Sequence, residues 1–338
     1  MTRARSSLVS VADTPYYHCI GRCVRRAFLC GVDRLTGQSF AHRRRWILDR
    51  LRLLTEVFAI DLCAYAIMGN HYHLVVRLAP ERTTQWSDAE VIDRWTRLFA
   101  GPSFMLRHRA GEAAAAAEQD GVSAVLSIWR SRLGDLSWFM RCLNEAIARQ
   151  ANAEDRCTGR FWEGRYRCQA LLDEGALLTA MAYVDLNPVR AGMATSVLDS
   201  DFTAAQARLF DVARRRQRHQ SERCSPSGPI LLAFLSQDPA EAQAQLPFHL
   251  QDYLDLLDTT GRAVVAGRRG AIGESVPTLL ATLGIDPLEW LPTVTQLQAR
   301  FELVIGAPQR LRRLAEAKGR RWFRGRAAAL KLYTRANC

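Results

Sequence analysis

The segment IDLCAYAIMGNHYHLVVRL, Ile60 to Leu78, most narrows what this chain can become. Ile60 to Met68 is an apolar run of strand length, Gly69-Asn70 suits a two-residue hairpin loop, and His71 to Leu78 brings the chain back. Side chains alternate along a strand, so Tyr72, Leu74, Val76 and Leu78 form an apolar face and His71, His73, Val75 and Arg77 form the opposite one. Residues two apart on a strand sit ~6.7 Å apart and point the same way. Two imidazoles so placed can converge on one divalent ion at ~2.0 to 2.2 Å. Alone, the pattern describes equally well two polar residues on a solvated strand face, so other residues must supply chemistry before it means more.

A chain of 338 residues holds two domains, or one with an insertion and a tail. Its 46 Lys and Arg against 34 Asp and Glu give a net charge of +12, almost all from arginine, since Lys318 and Lys331 are the lysines. Such an excess points to a polyanion, most simply nucleic acid. The nine cysteines are odd in number and scattered without a CxxC pair, which reads as reduced thiols rather than a disulfide framework or zinc ribbon. No apolar stretch suits a signal peptide or a membrane span, so the expectation is a soluble, cytoplasmic protein.

Around the hairpin, Tyr16 to Arg22 reads as a first strand. Ile47, Leu51, Leu54 and Phe58 recur at helical spacing among Arg43, Arg44, Arg45, Arg50 and Arg52, which predicts an amphipathic helix with a basic outer face. Ser87 and Glu90 form a capping box for a helix to Phe99. Residues 101–133 have the composition of a surface insertion, with an alanine run suited to a short helix. Leu136 to Asn152 is a further helix, and Asp173 to Asn187 another that Pro188 stops. The division expected is 1–212, a linker over 213–229 and an all-α, basic C-terminal region over 230–338.

The second chemical signal is AYVDLNPVRAG, Ala182 to Gly192. Tyr183 and Asn187 stand four apart, on one helix face, ahead of Arg190. A tyrosine in a last helical turn is usually core; here it accompanies a side-chain carbonyl able to ligate a hard cation.

His-hydrophobic-His on a strand followed by YxxxNPVRAG on a helix resembles the single-tyrosine HUH nucleases, and among them the REP-associated tyrosine transposases, relatives of small bacterial insertion-sequence transposases. The likeness spans roughly Pro15 to Phe210 and includes YYHCIGR and GRFWEGRYR. It implies an α+β fold, a ferredoxin-like antiparallel sheet with packed helices, and the tyrosine helix lying across the histidine face. It also implies Tyr183 as nucleophile, His71 and His73 as ligands of Mg²⁺ or Mn²⁺, and Asn187 where the family has a third, amide-type ligand. Attack would give a 5′-phosphotyrosine link and a free 3′-hydroxyl, permitting DNA strand transfer as well as cleavage. The implied partner is single-stranded DNA, in hairpins such as extragenic palindromic repeats, met by a monomer or homodimer associated with the nucleoid.

Contacts to phosphates and unpaired bases fall to Arg22, Arg25 and Arg26, to Trp162, Arg165, Tyr166 and Arg167 before the tyrosine helix, and to Arg190 after it. The basic run from Arg310 to Arg326 offers a further contact. Two other readings use the same residues: a non-catalytic, domesticated hairpin-binding protein, and an RNA-binding protein. The joint presence of His71, His73, Tyr183 and Asn187 favours the nuclease, because a pure binder needs none of them.

Overall fold

The computed structural model describes residues 8–24, 29–33, 35–112, 116–217, 228–236, 244–266 and 278–334. Arg25, Arg26, Cys224, Cys338 and most of the 213–229 linker lie outside the described residues.

The architecture is mixed α+β. The chain forms β1 (Tyr16–Arg22), α1 (Arg43–Val57), β2 (Ile60–Ile67) and β3 (His71–Leu78), then α2 (Glu81–Gln85), α3 (Asp88–Thr96), α4 (Ser103–Arg109), α5 (Ala116–Leu133) and α6 (Leu136–Glu154) before β4 (Arg167–Leu171). After β4 come α7 (Glu174–Asp185), α8 (Asn187–Arg190), α9 (Ala204–Gln217), α10 (Leu250–Val265), α11 (Thr278–Thr282), α12 (Pro287–Arg300), β5 (Val304–Ile305), α13 (Pro308–Ala317) and α14 (Arg326–Leu332). The sheet runs β2-β3-β1-β4-β5. Its first three pairings are antiparallel and the last is parallel.

The hairpin forms as its sequence predicts, closed by the Met68 amide donating to the His71 carbonyl at 2.8 Å. A bulge at Cys63 shifts β2 so that Ala64 and Ala66 lie beside Val75 and His73. These small side chains leave room for α7, which packs on β2, β3 and β4 and is buried on every side from Gly175 to Asp185. A helix apolar all round belongs inside a molecule.

The other sheet face carries Tyr17, Cys19, Tyr72 and Leu74 into a core shared with α1 and α6. Gly21 sits opposite Tyr72, and a Cβ there would come within 2.5 Å of the tyrosine ring. The absence of a side chain lets the ring lie across β1 and reach Asn144 on α6.

Ser87 caps α3 as expected, accepting from the Glu90 amide. Three readings are corrected. Arg43 does not join a basic outer face; it is buried, its Nε donates to Glu154 at 2.6 Å, it pairs with Asp155, and its guanidinium stacks 4.2 Å over Phe40. Residues 101–133, expected as a surface insertion with a short helix, form α4 and the 18-residue α5, of which Val122, Leu126, Trp129 and Leu133 are buried, with Trp129 stacked on Trp95 at 5.1 Å. The C-terminal region is not all-α, because both edge strands recruit backbone from it. Ala170 of β4 and Leu172 just after it donate to Leu303 and Ile305, and Leu232 donates to Leu62 of β2. An unpaired sheet edge leaves backbone groups without partners, and these segments supply them.

No disulfide joins the seven described cysteines. No described helix is long and apolar enough to cross a membrane.

Candidate active site

Antiparallel register decides which side chains share the histidine face. His71 pairs with Arg22, His73 with Ile20, and Val75 with His18, while on the other side of β1 His18 pairs with Gln169 and Ile20 with Arg167. Paired residues project to one side, so His18, Gln169, Arg22 and Arg167 join the two histidines.

Tyr183 reaches this face from α7. Asp173 fixes the start of that helix, accepting from the Ala176 amide at 2.8 Å and also from Ala307 and the Tyr333 hydroxyl. The helix ends at Leu186, whose backbone leaves helical geometry. Pro188 does not stop the chain from winding, as its sequence position suggests; it occupies the first turn of α8, where its missing amide is not needed.

A cavity of about 200 Å³ is lined by Ile20, Arg22, His71, His73, Glu163, Gly164, Arg165, Arg167, Tyr183 and Gln298. The Tyr183 ring stands edge-on to His73 with centroids 5.5 Å apart and to His18 at 5.8 Å. Arg190 stacks 4.1 Å over the face of Tyr183. Three arginines against the single carboxylate of Glu163, 3.7 Å from Arg22, make the lining basic and suited to phosphate.

The remaining expected residues are placed differently. Asn187 is buried at the start of α8, beyond the break at Leu186, and does not line the cavity. Trp162 packs against Tyr72 and Phe161 and donates its indole N–H to the Asn144 carbonyl at 2.8 Å. Tyr166 is buried. His18, Gln169, Glu163 and Gln298 were missed. Register of β1 against β3 places His18, and register of β4 against β1 places Gln169; Gln298 arrives from α12 with no local signal at all.

Hydrogen bonds fix the protons of the three imidazoles. Gln169 Nε2 donates to the carbonyls of Phe301 at 3.3 Å and Glu302 at 3.0 Å, so its Oε1 faces His18 Nδ1 at 2.8 Å as an acceptor. The reverse orientation would set an amide oxygen against two carbonyl oxygens. His18 therefore carries its proton on Nδ1, and its Nε2 accepts from His73 Nδ1 at 2.9 Å. His73 Nε2 is left as a lone pair, buried and without a hydrogen-bond partner. His71 Nδ1 faces the Asn70 amide oxygen at 2.6 Å, which leaves its Nε2 as a lone pair too.

All three rings are held neutral. Burial, and then the charge of Arg22 and Arg190, lowers His71 to about 4. Burial lowers His18 to about 4, Arg167 adding to it and the Gln169 bond opposing it. Burial lowers His73 well below the ordinary histidine value, with His18, His71 and Arg190 acting in the same direction. Neutral imidazoles with unengaged lone pairs are the ligating form. Two such donors fit a divalent cation that keeps water and phosphate oxygens as its other ligands. Among the described residues no three His, Cys, Asp or Glu side chains form a metal cluster.

No protein-family model matches the chain, and no curated protein matches it. Among solved structures it is similar to one described as the "Structure of the REP associates tyrosine transposase bound to a REP hairpin", with a TM-score of 0.35 and 13% identity. That likeness covers 69% of this chain and 100% of the other.

Proposed function

We propose that the chain is a divalent-metal-dependent, single-stranded DNA nicking and joining enzyme of the HUH type, with Tyr183 as nucleophile, acting on hairpins such as extragenic palindromic repeats. The β-α-β-β-α-β order of the first four strands suits the ferredoxin-like sheet on which such a site is built. The observation that carries the reading is the convergence of Tyr183, His71 and His73 on one basic cavity, with His73 Nε2 left without a hydrogen-bond partner.

His71 and His73 would hold Mg²⁺ or Mn²⁺ through their Nε2 atoms. A bound cation would supply charge neutralisation at a phosphate oxygen. Arg22, Arg165 and Arg167 attract the DNA backbone and hold its phosphate in the cavity. Arg190 packs on the Tyr183 ring and restricts the directions its hydroxyl can take. The hydroxyl oxygen attacks phosphorus, the O–P bond forms as the bond to the 3′-oxygen breaks, the phenolic proton is released, and the 3′-oxygen leaves as a hydroxyl. The phosphotyrosine link conserves the energy of the broken ester, so reversal onto another 3′-hydroxyl joins strands. No nucleotide cofactor is needed.

The test is incubation of a labelled single-stranded hairpin with the full chain and Mn²⁺. A protein-DNA band that survives denaturation supports the reading. Tight hairpin binding without any adduct favours the alternative, a domesticated binder on the same fold.

A further inference from the structure

Beyond Tyr183 and the histidine pair, a continuous line of hydrogen bonds runs from the C-terminal region through the centre of the sheet into the cavity. Its parts come from four places in sequence: β3 (His73), β1 (His18), β4 (Gln169) and the segment after α12 (Phe301 and Glu302). Every side chain in it is buried, at 1% exposure for His73, 0% for His18 and 2% for Gln169.

Three neutral polar side chains in a sheet core are costly unless their hydrogen bonds are made. Those bonds are complete at one end, where Gln169 satisfies two carbonyls, and open at the other, at His73 Nε2. A network serving packing alone would close both ends or be replaced by apolar residues. This one ends on an unbonded nitrogen of His73, a residue that lines the cavity shared with Tyr183.

We propose that His18 and Gln169 are positioning residues that hold His73 in its Nδ1-protonated tautomer, and that the Phe301 and Glu302 carbonyls anchor them, making the C-terminal region an integral part of the site. An imidazole free to choose puts its proton on either nitrogen; with the proton on Nε2 that atom has no lone pair to offer a cation. The carbonyl pair orients the Gln169 amide, the amide orients His18, and His18 fixes His73. The last turn of α12, just before this segment, brings Gln298 into the cavity lining, and the segment continues into β5 against β4, so site and anchor are one structure.

The proposal rests on the reading of His71 and His73 as a cation-binding pair, and its test separates the two. Full-length protein with ¹⁵N-labelled histidine, free of metal, is measured by long-range ¹H–¹⁵N correlation. His18 and His73 are expected to carry their protons on Nδ1. A His73 protonated on Nε2 overturns the relay without any variant being made.

Gln169→Leu and His18→Phe are then compared with the parent by the same spectrum and by Mn²⁺ titration followed by the EPR signal of free Mn²⁺. The His73 tautomer is expected to become mixed and Mn²⁺ to bind roughly 10- to 100-fold more weakly, the usual loss when an orienting partner of a ligating histidine is removed. Folded variants that keep both the tautomer and the affinity overturn the proposal. A parent with the expected tautomers that binds no Mn²⁺ overturns the cation reading and leaves the relay supported.

Discussion

The Tyr183 ring is held between two neighbours of opposite character: Arg190 lies 4.1 Å over its face, and His73 meets it edge-on at 5.5 Å. A six-per-cent-exposed tyrosine in such a setting has little freedom of its own. Its direction is set by a cation that belongs to the next helix and by a histidine from the sheet.

Arg190 should therefore matter to the chemistry more than to DNA binding. A guanidinium stacked on an aromatic ring contributes about 1 kcal/mol, more where water is excluded. Arg190→Ala is expected to slow adduct formation roughly tenfold in single-turnover gels, the factor that ~1.4 kcal/mol of barrier gives. Hairpin binding, measured by fluorescence anisotropy, should weaken less. Arg190→Lys should not restore the rate, because an ammonium lacks the planar face that stacks.

Acid should destabilise the fold through the buried histidines. The folded values of His18 and His71 lie near 4 against an ordinary 6.5, so the unfolded chain takes up protons first as pH falls. Their contribution is complete above about 6.5 and lost as pH falls through about 4, and for fully buried His18 the shift corresponds to ~3 kcal/mol at most. Asp185, raised by burial to about 6, runs the other way, gaining stability as pH falls. The histidine effect is thus read by difference: urea midpoints of the parent and of His18→Phe at pH 7.5 and 4.5 should show a smaller acid loss in the variant.

The end of the tyrosine helix is tied to the C-terminal region by a second buried contact. Tyr253 of α10 donates its hydroxyl to Asp185 at 2.6 Å, and the other carboxylate oxygen accepts from the Ala205 amide at 3.0 Å. Nearby Arg208 opposes the effect of burial on Asp185. Tyr253→Phe removes one bond to a buried carboxylate and is expected to cost about 1.5 to 3 kcal/mol in urea unfolding. Tyr183 sits two residues before Asp185, so adduct formation should fall as well.

What could be read from sequence was whatever depends on local periodicity. The alternation around His71 and His73, the Ser87 cap and the Tyr183 helix are properties of a few adjacent residues, and the structure carries all three. Features that depend on which distant segments meet were not legible. His18 and Gln169 acquire meaning only when β1 lies between β3 and β4. Gln298, Phe301 and Glu302 enter from a region whose sequence suggested helices alone. Arg43 looked like one basic residue among several, because its partners Glu154 and Asp155 lie at the far end of α6. The helical spacing of Tyr183 and Asn187 assumed an unbroken helix, and the interruption at Leu186 lies between them.

The central claim is that Tyr183 is the atom-donating nucleophile, and mass spectrometry of the adduct tests it most directly. After reaction with a single-stranded hairpin and Mn²⁺, the DNA is trimmed with nuclease and the protein is cut with trypsin. The account predicts a nucleotide joined through a 5′-phosphate to the peptide of residues 168–190, whose one tyrosine is Tyr183, and no adduct in Tyr183→Phe. A nucleotide on any other residue, or an adduct that persists in Tyr183→Phe, would contradict it.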